Sequence, residues 1–153
     1  MSKIIGIISD THGLLREEAI EALQGSDLIL HAGDIGTPEV IRTLEKIAPV
    51  VAVRGNMDRG FWADDYPLTQ VAECGHRTFY ILHDLKKLEI DPARAEFDVV
   101  VSGHTHRLSE EWKDGALYLN PGSAGPRRFG LPVTLLRLKV EKESMEVLPV
   151  TLI

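Results

Sequence analysis

Ile4-Ile5-Gly6-Ile7-Ile8 runs straight into Ser9-Asp10-Thr11-His12-Gly13, and this stretch decides the fold class. A nearly unbroken apolar run of β-branched residues reads as a strand buried on both faces. The pattern returns in Leu28-Ile29-Leu30, Val50-Val51-Ala52-Val53, Phe79-Tyr80-Ile81-Leu82 and Val99-Val100-Val101. Helical patterns separate the first three runs. Leu15, Ala19, Ile20 and Leu23 share one helical face, and Gly25 stops that segment. Thr37 is placed as an N-cap with Pro38 at the first helical position. Val40, Ile41, Leu44 and Ile47 form the buried face of this second helix, and Pro49 closes it. The order β-α-β-α-β predicts a parallel sheet with right-handed crossovers.

Beyond this core the chain is richer in strands. Gln70 to Cys74 and Arg77 to Leu82 flank Gly75-His76 as a hairpin-like pair. Leu117 to Leu119, Val133 to Val140 and Met145 to Leu152 also read as strands, and Pro92 to Glu96 as a short helix. No linker, repeat or low-complexity segment divides the chain. The expectation is one α/β domain over residues 1–153 with two sheets.

Composition narrows the function classes. With 44% hydrophobic and 26% charged residues, the 153-residue chain is ordinary for a globular protein. A formal charge of -6 argues against generic nucleic-acid binding, which needs a basic surface. A phosphorylated substrate stays compatible, because metal ions supply positive charge locally. The single cysteine, Cys74, makes no internal disulfide and fits a reducing compartment. No signal-peptide pattern opens the chain, and no apolar run approaches the ~20 residues that cross a bilayer. Cytoplasmic location without membrane association is the expectation.

The polar residues cluster by position. Asp10 and His12 follow the first apolar run, Asp34 the second, Asn56 the third, His83 the fourth, and His104 and His106 the fifth. In open α/β sheets, the carboxyl ends of the strands are where ligands bind. Asp10-Thr11-His12 and His104-Thr105-His106 are i, i+2 pairs, which project to one side of an extended chain. Such a pair can grip one ion or two neighbouring ions. Gly13, Gly33, Gly55 and Gly103 adjoin these groups, where backbone must pass close to crowded side chains. Carboxylate, imidazole and amide ligands without thiolate suit divalent Mn, Fe, Ni or Zn, and speak against a structural zinc-thiolate site. Singly, each piece has a plainer reading: Asp10 as a cap, Gly33-Asp34 and Gly55-Asn56 as turns, His83 as a core histidine. Five such coincidences at one sheet edge are much harder to explain. His31 reads as a core or supporting residue, His76 as a solvated turn residue, and Asp58 as either a ligand-orienting residue or a cap.

Ser9-Asp10-Thr11-His12-Gly13, Gly33-Asp34, Gly55-Asn56-Met57-Asp58, His83 and Gly103-His104-Thr105-His106 resemble the ordered motifs of the calcineurin-like metallophosphoesterase superfamily. Within it, Asn120-Pro121-Gly122-Ser123 followed by Pro126-Arg127 is similar to a late loop of the small bacterial and archaeal phosphodiesterases. The resemblance covers nearly the whole chain and implies a four-layer α/β/β/α sandwich with two mixed sheets. It also implies a dinuclear metal centre. Asp10, His12, Asp34 and His106 would hold one ion, and Asp34, Asn56, His83 and His104 the other, with Asp34 bridging. Manganese is the first expectation, with Ni, Fe, Zn or Mg as alternatives.

The implied activity is that of a hydrolase, a phosphodiesterase before a monoesterase. A hydroxide shared by two ions roughly 3.5–4 Å apart would attack a small phosphoester. Asn56 and His104 would also stabilise charge on the phosphoryl oxygens. Ser123 and Arg127, or Arg128, are candidate phosphate contacts, with a structural turn and solvated arginines as the alternative. Phe61, Trp62 and Phe129 are placed for a substrate wall or a homo-oligomer contact.

Two departures stand out. Met57 occupies the position where related protein phosphatases carry a histidine acid, and Asp84 follows His83 where glycine is usual. The segment from Asp84 to Phe97 is also short, at the expense of a helix. A retromer subunit is similar in fold but has a degraded metal site. The completeness of the seven ligand types here favours an enzyme over such an interaction module, and a metal-binding or metal-sensing protein without turnover is a third reading, selected by tight metal uptake with no hydrolysis.

Overall fold

The computed structural model describes residues 2–153. Two five-stranded mixed sheets pack face to face. The first runs β10-β9-β1-β2-β3, where β1 is Lys3–Ile8, β2 Leu28–His31, β3 Val50–Ala52, β9 Thr134–Val140 and β10 Met145–Thr151. β1, β2 and β3 are parallel, and β9 and β10 extend the sheet antiparallel. The second runs β4-β5-β6-β8-β7, with β4 at Thr69–Cys74, β5 Arg77–Leu82, β6 Val99–Val101, β7 Leu108–Lys113 and β8 Ala116–Pro121. Here β5, β6 and β8 are parallel, and the edge strands β4 and β7 are antiparallel.

The apolar runs explain this arrangement. β2 and β6 are buried along their whole length, as continuous β-branched and leucine runs require. Ile5, Ile7, Phe79, Ile81, Val101 and Leu119 meet between the sheets. On the outer face of the first sheet, Ile8 and Ile29 pack against α1 (Glu17–Ala22) and α2 (Pro38–Glu45) through Ala19, Val40, Ile41 and Leu44.

Several expectations change in detail. Thr37 occupies the N-cap of α2, but its side chain makes no capping bond, and the helix ends at Glu45, ahead of Pro49. Pro92 to Glu96 is not a helix. It forms turns closed by Ala95 N–H to Asp91 and Phe97 N–H to Pro92, too few residues for a helical nucleus. Phe97 packs on Tyr80 at 5.2 Å between ring centres, so residues 84–97 cover the outer face of the second sheet as a thin layer of turns. β7 has no counterpart in the sequence reading, because all six of its residues are exposed and it carries no apolar signal. The Gly75-His76 turn has φ of 61° and 63°, the left-handed pair of a two-residue hairpin.

All six parallel strands end on the same side. The loops that follow β1, β2, β3, β5, β6 and β8 carry every motif singled out above.

Candidate metal centre and active site

Asp10 is fully buried behind β1, and its carboxylate is divided in use. Oδ2 accepts from the Ser9 hydroxyl at 2.6 Å and from the His104 N–H at 3.1 Å. Oδ1 has no hydrogen-bond partner among the described residues, and faces His106 Nε2 at 3.3 Å, His12 Nε2 at 3.8 Å and His83 Nε2 at 4.0 Å. Asp34 is treated the same way. Its Oδ1 accepts the Met57 N–H at 2.9 Å, and its Oδ2 lies 3.2 Å from His83 Nε2 and 3.7 Å from His12 Nε2. Two carboxylates thus point one untied oxygen each into a nest of three imidazoles.

The histidines are aimed from behind. His83 Nδ1 is 2.7 Å from the Ala32 carbonyl, which can only accept, so this nitrogen carries the proton and Nε2 presents its lone pair to the nest. His12 Nε2, His83 Nε2 and His106 Nδ1 are buried and have no hydrogen-bond partner among the described residues. Orphaned buried polar atoms are costly and call for an explanation. His12 and His83, with Asp10, belong to two groups of neighbouring ligand atoms, Asp10-His12-His106 and Asp10-Asp34-His83, and His106 turns its Nε2 to Asp10 Oδ1. Oxygen and imidazole nitrogen at this spacing fit divalent cations.

The electrostatics agree. Burial opposes charge on Asp34, but the His83 ring, the Met57 N–H and His12 hold its pKa down to about 2. Burial also opposes a charged His83, yet Asp34 and Asp10 beside it raise its pKa. The nest attracts positive charge. His12 goes the other way: burial pushes its pKa down against the pull of Asp34 and Asp10, and the Arg128 charge adds to burial.

His104 and Asn56 complete the set at the mouth. Both are exposed, and His104 Nδ1 lies 3.2 Å from Asn56 Oδ1. All seven predicted ligands therefore face one cleft, five buried or half-buried and two on the rim. Five of them hold left-handed backbone: φ is 56° at Asp10, 48° at His12, 54° at Asp34, 73° at His104 and 64° at His106. Such strain persists only where surroundings enforce it, and it concentrates at functional sites. Two glycines make the crowding possible. A Cβ at Gly103 would strike the Ser9 hydroxyl and sit 2.7 Å from Asp10 Oδ2, and one at Gly55 would strike the Asp34 carboxylate and amide.

Supporting residues divide into those foreseen and those not. Asp58 accepts the N–H groups of Ile35, Gly36 and Gly55, so it ties the Asp34 loop to the Asn56 loop. His31 is buried between Thr11 and Gly33. Ser9 and Asn120 stand inside the sequence motifs, but neither had a role in the sequence reading. Asn120 donates to the Gly103 carbonyl at 3.0 Å and the Thr105 hydroxyl at 3.1 Å, fixing the loop between His104 and His106. Ser123 is buried with its hydroxyl on the Asp10 carbonyl at 3.1 Å, so it props the site from behind and is not presented to the cleft. Arg127 reaches the Ile153 carbonyl at 3.4 Å, and Arg128 is the arginine whose charge is felt at His12. Phe129, 79% exposed, stands edge-on to His106 at 5.9 Å. Trp62 is half-buried against Tyr66, and Phe61 is fully in solvent.

The departures are also explained locally. Met57 contributes its backbone N–H to Asp34 while its side chain is 55% exposed, so no acid replaces the histidine found elsewhere. Asp84 caps the short 3₁₀ turn Leu85–Lys87 through the Lys86 N–H and lies 3.9 Å from His104 Nε2, and His83 keeps its place in the nest.

The calcineurin-like phosphoesterase superfamily domain matches residues 4–143. The chain belongs to this superfamily. It is 34% identical to a probable metallophosphoesterase of Methanothermobacter thermautotrophicus, over 95% of this chain and 91% of that one. It is 30% identical to a phosphodiesterase of Methanocaldococcus jannaschii, over 94% and 97% of the two chains. The fold also superposes on vacuolar protein sorting 29 of Cryptosporidium parvum with a TM-score of 0.79, at 20% identity over 98% of both chains. The metallophosphoesterase relatives and the ligand groups of the cleft make this chain a metal-dependent phosphoesterase. No helix among the described residues is long and apolar enough to cross a membrane.

Proposed function

We propose that this phosphoesterase is a dinuclear phosphodiesterase acting on a small phosphoester. The observation that carries this reading is the convergence of Asp10, Asp34, His12, His83 and His106 on one buried spot, with Asp10 Oδ1, His12 Nε2 and His83 Nε2 left without a hydrogen-bond partner among the described residues. Asp10, His12, Asp34 and His106 would hold one divalent ion. Asp34, Asn56, His83 and His104 would hold the second, with Asp34 shared. When bound, the two ions supply an activated water and offset charge on the phosphoryl group. Manganese is the first choice for this thiol-free mixture of carboxylate, amide and imidazole ligands, and Ni, Fe, Zn or Mg are the alternatives.

The chain's own residues do the positioning. Ala32, Ser9 and Met57 lock the ligand rings and carboxylates, so the site is preorganised before substrate arrives. His104 and Asn56, exposed on the rim, are placed to meet phosphoryl oxygens. No side-chain acid occupies the Met57 position, which favours substrates with good leaving groups.

The test is hydrolysis of an aryl phosphodiester and the matching monoester by metal-stripped protein resupplied with Mn, Ni, Fe, Zn or Mg in turn. Metal-restored turnover of the diester, lost in His104→Ala, is expected. Confirmed binding of two ions with no turnover of either ester would replace this reading with a protein-interaction role on the same fold.

A further inference from the structure

Beside the metal nest the second sheet opens into a cleft of about 350 Å³ that nothing in the chemistry above uses. It joins the site through Asn56 and His83, and its walls are Leu68, Tyr80, Leu82 and Ile90. Residues 84–90 make one 3₁₀ turn, and Asp84, Lys87, Glu89 and Ile90 line the cleft together with Tyr80.

The charge at its mouth is balanced. Arg54 and Lys87 face Asp84 and Glu89 across the same opening, and Arg54 is already paired with Asp64 at 3.2 Å. A second phosphate would find no surplus positive charge there. An uncharged ring would find the apolar walls Leu68, Leu82 and Ile90 and the aromatic Tyr80. The volume lies in the range of small-molecule sites, about 300–1,000 Å³.

We infer that this cleft is the subsite for an uncharged aromatic or heterocyclic substituent of the phosphodiester, and that it sets substrate preference. The inference rests on the phosphodiesterase reading above. It assigns Leu68 and Ile90 as specificity-determining residues that touch the organic group and not the phosphorus.

Phenylphosphonate and methylphosphonate share one phosphorus group and differ by the ring. Their dissociation constants on the metal-loaded protein, measured by calorimetry, read the subsite directly. Burying the ring should tighten binding by about tenfold or more in the wild type. Ile90→Trp, which fills the cleft, and Leu68→Asp, which charges an exposed wall, should each cut that ratio to about twofold or less. A general loss of fold or metal would weaken methylphosphonate as well, so the ratio is read in variants whose methylphosphonate affinity is that of the wild type. A wild-type ratio near one, or a ratio unmoved in both variants, overturns the subsite while metal-dependent diester turnover still stands. Absence of that turnover removes the phosphodiesterase reading and this inference with it.

Discussion

Asp34 Oδ2 lies 3.2 Å from His83 Nε2, with no hydrogen bond aligned between them. The same oxygen is 3.7 Å from His12 Nε2, so it faces both halves of the ligand cluster. A buried carboxylate oxygen this close to two imidazole nitrogens is suited to a cation held in common. Asp34→Asn keeps the shape and removes the charge. We expect bound metal to fall from two ions to one or none by elemental analysis, and turnover to fall at least about a hundredfold. Two ions bound with wild-type turnover would end the bridging role.

Asp58 serves the site without reaching it. Its two oxygens take three backbone N–H groups, from Ile35, Gly36 and Gly55, at 2.9 to 3.1 Å. Asp58→Ala leaves all three donors without that acceptor, at a cost of about 3 kcal/mol or more in unfolding free energy. The two loops it joins carry Asp34 and Asn56, so metal affinity should weaken as well, by about 10–100-fold. Urea unfolding and metal titration check the two effects separately. A variant with native stability and native affinity would show that the loops hold their places without the clamp.

These two residues also mark how far the sequence could be read. Asp34 was legible because it follows an apolar run at the edge where five such runs end, and edge position follows from parallel topology alone. Asp58 was seen as either an orienting residue or a cap, since both uses place an Asp three residues after a turn glycine. Only the register between β2 and β3 brings the Ile35 and Gly36 amides to it. The Ala32 carbonyl that aims His83 has no side chain to announce it. Ser123 looked like a phosphate contact from its loop motif, but the packing of that loop against Asp10 turns its hydroxyl inward. β7 was invisible because an exposed edge strand needs no apolar alternation.

His31 is buried completely, and burial lowers its pKa to about 4. Its tautomer follows from its partners. The Gly33 N–H donates to Nδ1, and the Thr11 hydroxyl spends its proton on the Ile35 carbonyl, so His31 Nε2–H donates to Thr11. The ring is held neutral. In the unfolded chain it titrates near its ordinary value, so between that value and about 4 the unfolded state binds more protons than the folded one. This stability is therefore fully present above pH ~6.5 and lost as pH falls toward 4, amounting to about 2 kcal/mol by pH ~5. His31→Gln can accept from Gly33 and donate to Thr11 without titrating. Urea unfolding of metal-stripped protein at both pH values should show a smaller acid loss in the variant. Equal losses would mean that His31 is not the group responsible.

Phe129 sets stability against use. It is 79% exposed, yet its φ is 58°, a conformation a bulky residue adopts only under constraint. Its ring stands edge-on to His106 at 5.9 Å, and Phe129 is not among the residues that line the Leu68 cleft. Little buried area is lost when the ring is removed, and glycine accepts this φ without strain. Phe129→Gly should therefore leave stability unchanged or raise it by up to about 1 kcal/mol, after glycine's greater unfolded-state entropy is subtracted. As a substrate wall, the reading under test, the ring would contact the organic group, so the same variant should raise KM for an aryl phosphodiester several-fold while kcat changes little. Phe129→Ala separates the two causes: it loses the wall but keeps the strain, so its KM should match the glycine variant and its stability should not exceed wild type. If KM stays at the wild-type value in both, the ring is not a substrate wall, and shielding of His106 is the role left for it.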